Sequence, residues 1–96
     1  MQEELDEKAL EATNFLKAIA HEHRLTNLCL LLSGEKSVSE LQKLVSIRQS
    51  AASQQLARLR LEGLIAARRE GKSIYYRIED EKVSSLISVL YQLFLR

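Results

Sequence analysis

The stretch from Ser37 to Gly63, SVSELQKLVSIRQSAASQQLARLRLEG, decides the architecture. Ser37 followed by Glu40 is an S-x-x-E capping box, in which each side chain closes an orphan backbone N–H at a helix start. After Leu41 and Leu44, the segment Val45-Ser46-Ile47 has no room for a third element. The chain therefore turns within about four residues, as a helix-turn-helix does. A second helix is predicted from about Arg48 to Glu62, and Gly63 suits a left-handed C-terminal cap.

In that second helix Ala52, Leu56 and Leu59 recur at i, i+4, i+7 as a narrow apolar stripe, while Gln49, Ser50, Ser53 and Gln54 share another face. Gln can pair with adenine N7 and N6, and Ser can donate or accept at base edges or phosphates. Ala51, Ala52 and Ser53 are small enough for the backbone to sit deep in a major groove. For an isolated helix, a solvated polar face is the commoner meaning of such a pattern. The residues after Gly63 argue for the sharper one: Leu64 to Arg69 and Ser73 to Ile78 are strand-like runs joined by Glu70-Gly71-Lys72, a hairpin-length loop. Ile74, Tyr76 and Ile78 alternate onto one face. Arg68, Arg69 and Lys72 fall at or near the tip, where a wing lays positive charge along phosphates or into a minor groove. The plainer role for these cations is protection of an edge strand.

The net charge of +1 does not by itself describe a basic binder. Its distribution does: residues 43–77 hold eight Lys or Arg (Lys43, Arg48, Arg58, Arg60, Arg68, Arg69, Lys72, Arg77) against Glu62 and Glu70, a net +6, and the remainder carries −5. Segregation of this kind gives one face a positive potential, and binding through it weakens steeply with salt.

With 96 residues, no Pro and three Gly, the chain reads as a single domain, 1–96, without linkers, repeats or low-complexity tracts. A domain this short buries a modest fraction of its surface, so self-association is expected. Two amphipathic end segments, 1–20 and 79–96, can supply it: Leu5, Ala12, Leu16 and Ile19 on the first, and Val83, Leu86, Ile87, Leu90 and Phe94 on the last. Both could instead cap the core of one copy. A two-fold pair of recognition helices about one DNA turn apart favours the homodimer, with residues 37–78 as the DNA-binding part. No signal peptide is read, and no apolar run approaches the roughly 20 residues that span a bilayer. Cytoplasmic residence and no membrane partner are expected, consistent with a single cysteine in a reducing compartment.

The motifs Leu16-Lys17-Ala18-Ile19-Ala20-His21, Arg24-Leu25, Gln49-Ser50-Ala51-Ala52-Ser53-Gln54-Gln55-Leu56 and Ile74-Tyr75-Tyr76-Arg77-Ile78 resemble the ArsR/SmtB family of winged-helix regulators across nearly the whole chain. Each is weak alone; their order and spacing are specific. The resemblance implies a mainly α fold with a small β-hairpin: a winged helix-turn-helix of about five helices and a two-stranded wing, homodimeric through its first and last helices. It also implies a transcriptional regulator whose partner is double-stranded DNA with a pseudo-palindromic operator.

Many members of that family sense metals, and their ligand patterns are not read here. The recognition region has no Cys-x-Cys pair. The last helix offers Glu79, Asp80 and Glu81 but no His. His21 and His23, two apart, would point about 200° from each other on a helix, poor geometry for one ion. No metal or other cofactor is expected. Cys29 lies in the apolar stripe Leu25, Leu28, Cys29, Leu32, where a buried small hydrophobe is the simplest reading. Leu28-Cys29-Leu30-Leu31, Gln49-Ser50-Ala51 and Val89-Leu90-Tyr91-Gln92-Leu93-Phe94 resemble the redox-responsive HlyU/BigR-like branch. Its members pair a cysteine in this helix with a second near the end of the last helix. In this chain the second falls at about Leu95, which forms no disulfide. Cys29 thus stands as a possible redox-sensing residue through sulfenic acid or a persulfide. Branch relatives commonly carry Ser where this chain has Arg48, so Ser46 or a phosphate would supply the cap and Arg48 a backbone contact.

By this reading Arg48, Arg58, Arg68, Arg69 and Lys72 position the protein on phosphates, while Gln49, Ser50, Ser53 and Gln54 read bases. The expected role is regulation of virulence or stress genes, as a repressor at the promoter or by displacing another repressor. A thiol- or persulfide-responsive repressor is the alternative. A winged-helix module that docks protein is a further one, disfavoured by the basic segment. An enzyme is not expected, because no nucleophile-base pair, Gly-rich phosphate loop or paired catalytic carboxylates are found.

Overall fold

The capping box forms as its spacing dictates. In the computed structural model, which describes the backbone of residues 1–44 and 49–95 and the side chains of 1–44 and 54–94, the Glu40 N–H donates to Ser37 Oγ and the Ser37 N–H donates to Glu40 Oε1, both at 3.0 Å. This starts α3, Val38–Leu44. Before it come α1, Gln2–Ile19, and α2, Glu22–Leu31. After it come α4, Gln49–Leu61, and α5, Glu81–Leu90, which Asp80 caps by accepting from the Lys82 N–H. A π-helical turn, Tyr91–Leu95, continues α5.

The sheet differs from the two-stranded wing expected. β2, Ile65–Glu70, and β3, Ser73–Ile78, form the predicted hairpin, but β1, Lys36–Ser37, pairs antiparallel with the far side of β3. The order is β1-β3-β2. A two-residue strand leaves no periodicity to read, since alternation needs at least four residues to register. The hairpin loop is also tighter than Glu70-Gly71-Lys72: Glu70 pairs with Ser73, so only Gly71 and Lys72 turn. Gly71 has φ +61°, the positive value that a II′ hairpin needs at its first central residue.

The core gathers Leu28 and Leu31 of α2, Leu41 of α3, Leu56 and Leu59 of α4, Ile65 and Tyr76 of the sheet, and Val83 and Ile87 of α5. Ile19, Val83 and Ile87, expected on a dimer face or a core cap, are fully committed to the core of one copy. By contrast α1 is seated only at its C-terminal end, through Phe15, Ala18 and Ile19. Among the described residues no helix is long and apolar enough to cross a membrane.

The backbone and hydroxyl hydrogen bonds of Ser37 hold the Glu40 carboxyl below the ordinary glutamate range. A carboxyl lowered in the folded state adds stability that is present above its unfolded value, roughly 4.3, and is lost as pH falls through the folded value. Replacing Ser37 with Ala should cost about 1 kcal/mol in urea unfolding at neutral pH. Glu40→Gln should flatten the loss of stability between about pH 5 and pH 3. An unchanged midpoint for the first and an unchanged acid limb for the second would remove the cap from the account.

Candidate nucleic-acid interface

Helix α4 ends by a Schellman closure. The Leu64 N–H donates to the Leu59 carbonyl (3.0 Å) and the Gly63 N–H to the Arg60 carbonyl (2.9 Å), with Gly63 at φ +78°. Leu59 and Leu64 are both buried, so the apolar contact that accompanies this motif is in place. The closure turns the chain from α4 directly into β2, which fixes the helix beside the wing.

Among the described side chains of α4, from Gln54 onward, one edge faces inward. Leu56 and Leu59 are buried and the helix packs on α2. Gln54, Ala57, Arg58 and Arg60 are exposed. Arg48 lies outside the described residues, as do the side chains of Gln49, Ser50, Ala52 and Ser53; the backbone of 49–53 is helical. Gln54 is therefore the predicted base reader whose position is seen, and it points to solvent. Arg58 Nε is paired with Glu62 Oε1 at 3.0 Å, an i,i+4 link on the helix surface.

A residue pair that sequence reasoning missed holds the orientation of α4. The Arg24 Nε donates to Gln55 Oε1 at 2.7 Å, and its Nη1 donates to the Ala18 carbonyl (3.0 Å) and the Lys17 carbonyl (3.4 Å). One guanidinium thus satisfies carbonyls left open at the end of α1 and grips the second helix of the helix-turn-helix. Gln55 follows Gln54 and carries the same side chain, and nothing local marks one as outward and the other as tethered.

The wing carries four cations in different circumstances. Arg69 and Lys72 are exposed, with no ion pair among the described residues. Arg68 is held by Glu35, Glu70 and the ring of Tyr75. Arg77 pairs with Glu79 at 3.2 Å.

His21 is the N-cap of α2, with Nδ1 accepting from the His23 N–H at 3.1 Å. Its backbone is extended, so the divergence expected of two helical positions does not apply, and the two rings meet edge to face at 5.4 Å. No group of three or more His, Cys, Asp or Glu is arranged to hold a metal among the described residues. Cys29 is half-buried beside a shallow hollow lined by Leu30, Leu32, Ser33, Lys36 and Tyr91. Burial pushes its thiol up, which lowers the thiolate fraction and with it the reactivity.

Losing the tether should be felt in folding. Gln55→Ala leaves a half-buried guanidinium short of a partner, at a cost of about 1–3 kcal/mol. Arg24→Ala should cost a similar amount, and the double variant should be markedly less than additive. Denaturant midpoints of the three variants measure this, and full additivity would separate the two residues.

Comparison with known proteins gives the same picture. The family model described as "Bacterial regulatory protein, arsR family" matches residues 21–67, which run from the cap of α2 into β2. The biofilm growth-associated repressor of Agrobacterium fabrum is 43% identical over 90 residues, covering 94% of this chain and 77% of that protein. The transcriptional activator HlyU of Vibrio cholerae is 39% identical over 92 residues, covering 96% and 85%. The crystal structure of the regulator HlyU from Vibrio vulnificus superposes with a TM-score of 0.91 at 39% identity, covering 97% of each chain. With a helix-turn-helix, an adjoining basic wing and relatives of this kind, the chain belongs to the arsR family of bacterial regulatory proteins and is a winged-helix, DNA-binding transcriptional regulator of the HlyU and BigR type.

Proposed function

We propose that two copies of this chain associate through α1 and the α5 end and set a pair of α4 helices into successive major grooves of a pseudo-palindromic operator. Gln49, Ser50, Ser53 and Gln54 read base edges, while Arg48, Arg58, Arg69 and Lys72 meet phosphates. The observation that carries this reading is an outward Gln54 on α4 followed, through the closure at Gly63, by a wing whose Arg69 and Lys72 are exposed and without an ion pair among the described residues. The relatives include a repressor and an activator, and in this reading the chain itself acts by occupying promoter DNA.

Support for the dimer comes from α1. Its 18 residues span about 27 Å, yet Leu5, Leu10 and Leu16 are 64%, 62% and 51% exposed. Val89, Leu93 and Phe94 at the other end of the chain are exposed too. Apolar side chains repeated along two helices and left in water by one copy favour a partner that offers the same surface.

Two experiments test these parts separately. On fragments selected from genomic DNA, Gln54→Ala should lose about 1–3 kcal/mol of binding and relax sequence preference. Lys72→Ala should weaken selected and random duplexes alike and flatten the salt dependence. Equal losses on both duplexes for both variants would refute this division of labour. For assembly, the double variant Leu5→Glu/Leu16→Glu changes side chains already exposed in one copy. It should sediment at half the mass of the parent and bind a two-half-site duplex about 10²- to 10⁴-fold more weakly. An unchanged sedimentation coefficient would put the interface elsewhere.

A further inference from the structure

The wing cations have unequal freedom, and Arg68 is the most heavily engaged of them. Its Nε donates to both oxygens of Glu35 at 3.0 Å, its Nη2 donates to Glu35 Oε1 at 2.7 Å, and its Nη1 donates to Glu70 Oε2 at 2.9 Å. The guanidinium carbon sits 4.5 Å from the centre of the Tyr75 ring. These partners come from separate places. Arg68 and Glu70 are on β2, Tyr75 is the cross-strand neighbour of Arg68 on β3, and Glu35 immediately precedes β1 on the far edge of the sheet. The guanidinium therefore reaches across the middle strand and ties the two outer strands together.

We propose that Arg68 is a positioning residue of the wing: it locks β1, β3 and β2 into one rigid sheet, so setting the angle at which Arg69 and Lys72 meet the duplex, and makes no phosphate contact itself. This rests on the wing reading given above. Three physical points carry it. First, Glu35 and Glu70 together outweigh the charge of Arg68, a local −1, so its own positive charge is offset where it sits. Second, three of the five N–H groups of this guanidinium already donate to carboxylates and one of its faces lies on an aromatic ring, so less of it is left for a phosphate than on Arg69 or Lys72. Third, β1 is two residues long and holds its place on β3 by two residue pairs only, so a side-chain tie next to it adds what the backbone lacks. The lowered Glu35 carboxyl, caused first by its hydrogen bond from Arg68, agrees with a pair that stays closed at neutral pH.

The roles separate through two readouts on the full-length chain: the slope of log affinity against log salt on a mixed-sequence 30-base-pair duplex, and amide exchange of residues 36–37 and 65–78 without DNA. Arg69→Gln and Lys72→Gln should each reduce the slope by about 0.9 for each phosphate no longer neutralised, or about 1.8 per dimer with both wings engaged. Neither should alter exchange in the sheet. Arg68→Gln should speed exchange roughly 5-fold or more, and any fall in slope that follows from the loosened wing should not be restored by Arg68→Lys. Arg68→Lys decides the matter where the Gln variant folds poorly: lysine keeps the charge but lacks the planar fork, so it should fail to restore slow exchange. A lower slope for Arg68→Gln that lysine restores, with exchange unchanged, would overturn the inference alone. Unchanged slopes for Arg69→Gln and Lys72→Gln would overturn the wing reading and the inference with it.

Discussion

Everything outward-facing on this molecule depends on how narrowly α4 is fastened. Two buried leucines, Leu56 and Leu59, seat the helix against α2, which is worth about 3–6 kcal/mol for the pair relative to exposure. The Arg24–Gln55 bond adds a directional contact, and the closure at Gly63 fixes where the chain leaves. A wider apolar face would bury more area and hold the helix more firmly. It would also cost the polar positions that make the helix a reader. Over the described side chains of α4 the stripe is a compromise between attachment and exposure, and the hydrogen bond from Arg24 adds direction to what Leu56 and Leu59 supply by burial.

The elements legible in the sequence were those whose cause lies within a few residues. The Ser37–Glu40 box, the glycine after α4 and the glycine in the hairpin each declare a local backbone requirement, and each forms. Signals that join distant positions were not legible. β1 depends on pairing with Tyr75 and Tyr76, some forty residues on. The tether joins residues 31 apart and the wing clamp residues 33 apart. No pattern of single residues encodes which arginine finds which carboxylate, because that choice is set by strand register, and register is set by side-chain burial on one face.

Charge counting shows the same gap from another side. A net +6 over residues 43–77 debits Glu62 and Glu70 but not the carboxylates outside the window that reach into it. In the fold, Arg58 is paired to Glu62 and Arg68 to Glu70, both inside the window, and Arg68 is also paired to Glu35, which lies outside it. The positive potential is therefore concentrated on fewer side chains than the composition implies, with Arg69 and Lys72 at the wing tip. Exposed pairs such as Arg58–Glu62 add little stability singly. Their larger effect is on where free charge remains.

The end helices carry a related ambiguity, because an apolar position on an amphipathic helix does not say which surface it serves. α1 and α5 each divide their apolar residues between the core and water: Ile19, Val83 and Ile87 go inward, while Leu5, Leu16, Val89 and Phe94 remain out. Cys29 lies between these fates. It is half-buried near Tyr91 at the junction of α2 with the chain end, so its first role is to fill space there. Cys29 is the one cysteine among residues 1–96, so no disulfide joins two of these residues. Oxidation at Cys29 would add oxygen to a crowded thiol whose pKa is already raised, and any influence on α4 would have to pass through α2, the helix that carries both Cys29 and Arg24.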